Sequence, residues 1–158
     1  MPKRSAGILL WQRAEGEVRV LLVHPGGPFW AKKDAGAWSI PKGEYAEGDD
    51  VLAAAKREFA EELGPQAQAL VRGRADGAFV PLAPVRQAGN KIVAAFALEG
   101  DLDVAKVRSN IVAIEWPPGS GRRQSFPEID RAQWFSLAEA RRRILPGQRA
   151  LLAALAQR

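Results

Sequence analysis

The chain has 158 residues, enough for one domain with a real hydrophobic core and short for two. Its apolar fraction of 47% argues against wholesale disorder, and no apolar run approaches the roughly 18 residues that a membrane span needs. A formal net charge of +5 favours anionic partners such as nucleotides or polyphosphates, and the absence of cysteine excludes disulfides, thiolate metal sites and cysteine nucleophiles.

In chain order, Ser5 to Arg13 and Val18 to His24 are apolar runs flanking Ala14-Glu15-Gly16-Glu17, which predicts a hairpin. The basic N-terminus has too short an apolar run for a secretory signal, so a cytoplasmic location is expected. Pro25-Gly26-Gly27-Pro28 breaks the second strand. The loop on to Ala37 carries Phe29, Trp30, Lys32 and Lys33, more chemistry than a connector needs, and its aromatics suit stacking on a base. Trp38 to Ile40 is a short strand stopped by Pro41. A helix then follows, capped by Asp49 or Asp50 and stopped by Gly64 and Pro65.

Beyond it, Gln66 to Val71 is expected as a short strand. Gly77 to Gln87 and Lys91 to Leu98 form a second hairpin, and the prolines of its first arm predict a bulged or edge strand. Ser109 to Trp116 is a strand, Gly119 to Ser125 a flexible basic loop, and Arg131 to Phe135 the last strand. Ser136 and Glu139 stand in capping-box register for a helix, and Pro146-Gly147 separates it from a terminal helix over 148–157. Trp11, Trp116 and Trp134 are assigned to the core, and the lone His24 to a structural role. No repeat or linker divides the chain. One α/β domain over 1–158 is expected, a mixed sheet between helices.

The central helix holds the densest chemistry. Glu58, Glu61 and Glu62 fall at i, i+3 and i+4, on one helical face, with Leu52, Ala55, Phe59 and Leu63 on another. Such an acidic run is often a solvated surface. Inside a basic chain it is also what a hard divalent cation facing a phosphate requires.

The stretch Gly43 to Pro65 resembles the Nudix box, G-x5-E-x7-R-E-U-x-E-E-x-G-U, where U is a bulky aliphatic residue. Gly43, Arg57, Glu58, Glu61, Glu62 and Gly64 match, and Phe59 fills the first U; Asp49 replaces a Glu and Pro65 an aliphatic residue. The resemblance implies the Nudix fold and a hydrolase that uses Mg²⁺ or Mn²⁺ to cleave a nucleoside diphosphate linked to another group. By position it makes Glu58, Glu61 and Glu62 the metal ligands, with a backbone carbonyl at Lys42 or Gly43 as a further ligand. Arg57 would hold carboxylates in place, paired with Glu61 or Asp49.

Pro41-Lys42-Gly43 looks like the segment preceding the box in Nudix enzymes that act on diadenosine polyphosphates, with Lys42 as a phosphate contact. Several Nudix enzymes take a further Glu from the region of Glu128 as general base or extra ligand. Arg122 and Arg123 ahead of it are candidate phosphate contacts, and Trp30 a candidate base contact. The expected partner is a phosphorylated small molecule, a nucleotide first; nucleic acid is the lesser reading of the Arg141-Arg142-Arg143 run, and a monomer or homodimer is expected. The competing class is a nucleotide- or RNA-binding module without turnover.

Overall fold

A computed structural model describes residues 2–158. Strands β1 (Lys3–Ala14) and β2 (Glu17–Pro25) form the expected hairpin, with Glu15 and Gly16 both at positive φ in its turn. β1 pairs with β2 only along its last third, from Trp11 to Ala14. Its first half pairs instead with β3 (Lys42–Glu44), placing Ala6 opposite Gly43 and Gly7 opposite Lys42.

The segment between fills the split where the two strands diverge. The Ser39 backbone exchanges two hydrogen bonds with Val23, and the Ile8 N–H donates to the Pro41 carbonyl. Gly7 permits this approach, since a Cβ there would overlap the Pro41 oxygen. Trp38 to Ile40 is thus a pair of isolated bridges rather than a strand. Its consequence is positional: Lys42 and Gly43 are held at the mouth of the split.

Helix α1 (Val51–Leu63) follows, and Asp50 is its cap, accepting from the Ala53 N–H. Asp49 closes the preceding turn by accepting from the Ala46 N–H. Gly64, at φ 95°, ends the helix. The residues expected as a strand after it form α2 (Pro65–Arg72) instead. Pro65 sits in its first turn, where a missing N–H costs nothing, and Ala67 and Val71, one helical turn apart, are its buried pair.

The second hairpin is present but broken. β4 (Val80–Pro81) and β5 (Val85–Gln87) both pair antiparallel with β6 (Lys91–Glu99), interrupted at the prolines. β6 runs parallel to β1 with Lys3 opposite Lys91. β9 (Ile129–Ser136) completes the sheet beside β2, in the order β4-β6-β1-β2-β9 with β3 and β5 attached.

The predicted basic loop is partly strand: β8 (Arg123–Pro127) pairs with β7 (Ile111–Glu115) in a separate two-stranded ribbon. Ser136 caps α3 (Leu137–Arg143) through the Glu139 N–H, and α4 (Arg149–Ala156) ends the chain.

Alternation along the strands serves two cores. Ile8, Leu10, Leu21 and Val23 pack with Phe59 and Leu63 of α1, whereas Leu9, Val20 and Leu22 pack with Ile144 and the leucines of α4. The arrangement is the expected mixed sheet between helices. Trp11 and Trp134 are half-buried and flank the two cores, whereas Trp116 belongs to neither. The wholly buried tryptophan is Trp38, whose indole N–H donates to Asp34 at 2.7 Å. Among the described residues no helix is long and apolar enough to cross a membrane.

Candidate active site

The three box glutamates do not share one solvated stripe. Glu62 lies on the buried side of α1 with Ala55 and Phe59, only 8% exposed. The Glu58 side chain is 16% exposed, and Glu61, one turn along the same helix and within reach of Glu58, is exposed beside Pro65 and Arg108. The i, i+3, i+4 spacing spreads side chains over a broad arc, and the helix is rotated so that the core claims one edge of it.

Glu62 accepts a hydrogen bond from the Lys42 backbone N–H at 3.1 Å, tying the helix to β3. Burial pushes its carboxyl up to about 8; Glu128 adds to this, and the Lys42 backbone and ammonium oppose it. Burial also raises Glu58, with Glu61 next, offset in part by Arg57. Arg57 pairs with its neighbour, its Nε 3.5 Å from Glu58 Oε2, and not with Glu61 or Asp49 as expected. Both residues lie within α1, and the contact joins sequence neighbours rather than residues one helical turn apart. Lys42 itself is held below the usual lysine range by burial, against the opposing pull of Glu62.

Glu128 reaches this group because its backbone is pinned on both sides. Its N–H donates to the Asn110 carbonyl at 2.7 Å, and its carbonyl accepts from the Gly26 N–H at 2.9 Å. A Cβ at Gly26 would overlap the Pro127 carbonyl, so a glycine is needed for the strand end and this corner to touch.

A cavity of about 300 Å³ opens here, lined among others by Trp30, Lys42, Glu62, Gln87, Lys91 and Glu128. A neighbouring groove carries Lys3, Lys42, Gly43, Glu58, Lys91 and Glu128. β1, β3, α1, β5 and β6, with the Glu128 corner and the Trp30 loop, therefore converge on one cleft lined by both lysines and carboxylates. Arg122 and Arg123 line neither depression. Arg123 pairs with Glu115 at the far end of the ribbon, five residues from Glu128, or about 16 Å along an extended strand. Its guanidinium bonds the Ala113 carbonyl.

The cations that do line the cleft include Lys3 and Lys91, which sequence reasoning missed. They meet because β1 and β6 begin in register. No local signal could show a parallel pairing between residues 88 positions apart. His24 is wholly buried and spans the Asp130 carboxylate at 2.8 Å and the Lys33 carbonyl at 2.6 Å, which fastens the long loop to β9.

The donor set fits a hard divalent cation. Two carboxyls raised by burial and by neighbouring carboxylates, Glu61 beside one and Glu128 beside the other, are the arrangement a cation would relieve, and Mg²⁺ needs only one or two of them directly. Among the described residues no three acidic or imidazole side chains close around one point, and the acids stand as neighbours along the cleft. Gly43 supplies a second sign of fit, since a Cβ there would overlap the Glu58 carboxylate. Gly43→Ala is therefore expected to displace Glu58 while costing less than about 1 kcal/mol of stability, because the side chain that must move is flexible. The check is turnover against thermal melting: at least tenfold loss of the first with Tm nearly unchanged.

The NUDIX domain family model matches residues 1–155. Among solved structures, an Ap4A hydrolase binary complex from C. elegans superposes with a TM-score of 0.61 at 19% identity, covering 98% of this chain and 96% of that one. The NUDIX domain of Shewanella oneidensis NrtR, complexed with ADP ribose, gives 0.61 at 14% identity, covering 99% and 87%. A MutT/nudix family protein from Listeria innocua gives 0.60 at 15% identity, covering 99% and 94%. No curated protein matches the chain in sequence. At these identities the structural likeness speaks for the fold, and the match over residues 1–155 speaks for the family. The chain belongs to the NUDIX domain family, the Nudix hydrolases.

Proposed function

We propose that the chain hydrolyses the pyrophosphate linkage of a nucleoside diphosphate joined to another group, a dinucleoside polyphosphate or nucleoside triphosphate foremost, with Mg²⁺ or Mn²⁺ as cofactor. The observation that carries this reading is Glu62: a buried carboxyl pushed up to about 8, beside Glu128 and Glu58 and under a rim of lysines.

When bound, the divalent cation supplies charge screening on the phosphates and a lowered pKa for the attacking water. Glu58 and Glu62 would hold it, with Glu61 at the outer edge and the backbone at Gly43 close by. Arg57 keeps Glu58 oriented through their contact. Lys42, Lys91 and Lys3 supply point charges for the phosphate oxygens. Glu128, fixed by its two backbone bonds, is placed to accept the proton of the attacking water at a carboxylate oxygen. Trp30 offers an aromatic face to the base. Arg122 and Arg123 are left out of this scheme.

Phosphorus NMR on a panel of dinucleoside polyphosphates, nucleoside triphosphates and nucleotide sugars with Mg²⁺ tests the reading. New phosphomonoester signals should appear for at least one compound. No product with either Mg²⁺ or Mn²⁺ would leave the hydrolase reading without support and favour a binding module.

A further inference from the structure

A chain of side-chain amides runs from the backbone into the cavity and fixes the polarity of its last member. Gln148 is wholly buried. The Ile40 N–H donates to its Oε1 at 3.1 Å, and a backbone N–H can only donate, so the oxygen end of Gln148 is settled by chemistry. Its Nε2 must then face the other way, where it donates to Ser39 Oγ at 3.0 Å and to Gln87 Oε1 at 2.9 Å. Ser39 can accept because its own hydroxyl donates to the Ile40 carbonyl at 2.7 Å.

That bond turns the oxygen of Gln87 toward Gln148, which leaves its NH₂ group at the other end of the amide with no partner in the protein. Gln87 lines the cavity, and among the described residues no buried polar side-chain atom lacks a partner, so this NH₂, which makes no hydrogen bond within the protein, is accessible to solvent on a residue of the cavity wall. Gly147 allows the close packing that builds the chain: a Cβ there would lie 2.8 Å from the Gln87 Cα and from the Arg86 carbonyl oxygen. Across the β5–β6 turn Gln87 stands opposite Lys91. The donor thus sits next to a phosphate-facing cation, on a wall shared with the apolar side chains of Ile40 and Leu145 and with Trp30.

We propose that Gln87 is a specificity-determining residue that reads the base of the substrate by donating a hydrogen bond, and that Gln148 is its positioning residue. An edge carrying a carbonyl oxygen, as in hypoxanthine or guanine, satisfies the donor; an exocyclic amino group in its place leaves donor against donor. This inference rests on the proposed nucleotide hydrolase, and it deepens that reading by naming the class of base.

Inosine and adenosine triphosphates make the probe pair, since the carbonyl of one base stands where the other has an amino group. Two variants separate residue from relay. Gln87→Glu keeps an oxygen for Gln148 and puts an acceptor where the NH₂ was. Gln148→Glu leaves the cavity wall untouched but turns an acceptor toward Gln87, so the Gln87 amide must rotate and offer its oxygen instead. The wild type should show a KM for inosine triphosphate about tenfold or more below that for adenosine triphosphate. Both variants should move that ratio at least tenfold the other way. Any repulsion that a new carboxylate exerts on the phosphates is common to the two substrates and cancels. A ratio near one in the wild type, or one that neither variant moves, would overturn the proposal. If the wild type turns over neither compound, the hydrolase reading fails on its own. The Gln87 assignment is then decided by equilibrium binding of inosine and adenosine monophosphates, with the same reversal required. Should Gln148→Glu fail to fold, Gln87→Glu alone carries the test.

Discussion

Glu62→Gln is expected to lower turnover by a factor of 10² to 10⁴ while leaving the metal-free protein at least as stable as the wild type above neutral pH. The two effects share one cause. Glu62 is taken out of water and set beside Glu128, so its charged form is disfavoured in the fold and its carboxyl titrates near 8. Its unfolded value is about 4.5. A folded-state pKa raised above the unfolded one contributes stability that is full below pH 4.5 and lost as pH rises through 8. The wild-type stability should therefore fall across that window in the absence of metal, by an amount on the order of a few kcal/mol, and Tm with it. Glutamine keeps the oxygen that accepts from the Lys42 N–H and carries no charge, so the fall should be shallower in the variant. Melting curves from pH 5 to 9 in a chelator, alongside turnover with Mg²⁺, read both. A variant that is inactive and also markedly less stable at pH 8.5 would mean that Glu62 is structural.

Phe59→Ala should act in the opposite sense, costing about 3–5 kcal/mol of stability, or roughly 10 °C in Tm. Phe59 is wholly buried and fills the core between α1 and the sheet against Ile8, Leu10, Leu21 and Leu63. Its neighbours come from three elements, so the gap cannot collapse by a small shift of one of them. The side chain also lies between Glu58 and Glu62 in sequence and anchors the turn that carries both. Activity at low temperature should fall with the loss of that anchor. Phe59→Leu should restore most of both quantities, because it returns much of the volume. Chemical denaturation, with turnover at 10 °C, distinguishes this from a loss of chemistry alone.

What could be read from the chain depended on how local each cause was. The α1 helix was legible because its cap at Asp50, its alanines and its stop at Gly64 all lie within one stretch. The Ser136 cap of α3 was legible for the same reason. The helix after Gly64 was not: Ala67 and Val71 are spaced as a helix requires, but eight residues with so little apolar surface give a weak period. β8 was hidden by its composition, since Arg123 to Ser125 is polar and exposed and becomes a strand only through its partner β7.

The candidate site divides in the same way. The carboxylates of α1 share one helix, whereas Lys3, Lys91 and Gln87 join them through β1–β6 and β5–β6 pairing. Arg122 and Arg123 were misjudged because nearness in sequence to Glu128 becomes distance once the segment between them is extended. The orientation of Glu62 toward the core turned on a rotation of the helix that no spacing of acids encodes.

In the proposed mechanism these acids, set in a basic chain, hold a divalent cation. Electron paramagnetic resonance of Mn²⁺ added to the wild type and to a Glu58→Gln/Glu62→Gln double variant tests it most directly. The wild type should bind Mn²⁺ in a form that Mg²⁺ displaces, with affinity rising from pH 6 to 9 as the Glu62 proton is lost, and the double variant should lose at least tenfold in affinity. Equal Mn²⁺ binding by the two proteins, or none by the wild type at pH 9, would contradict it.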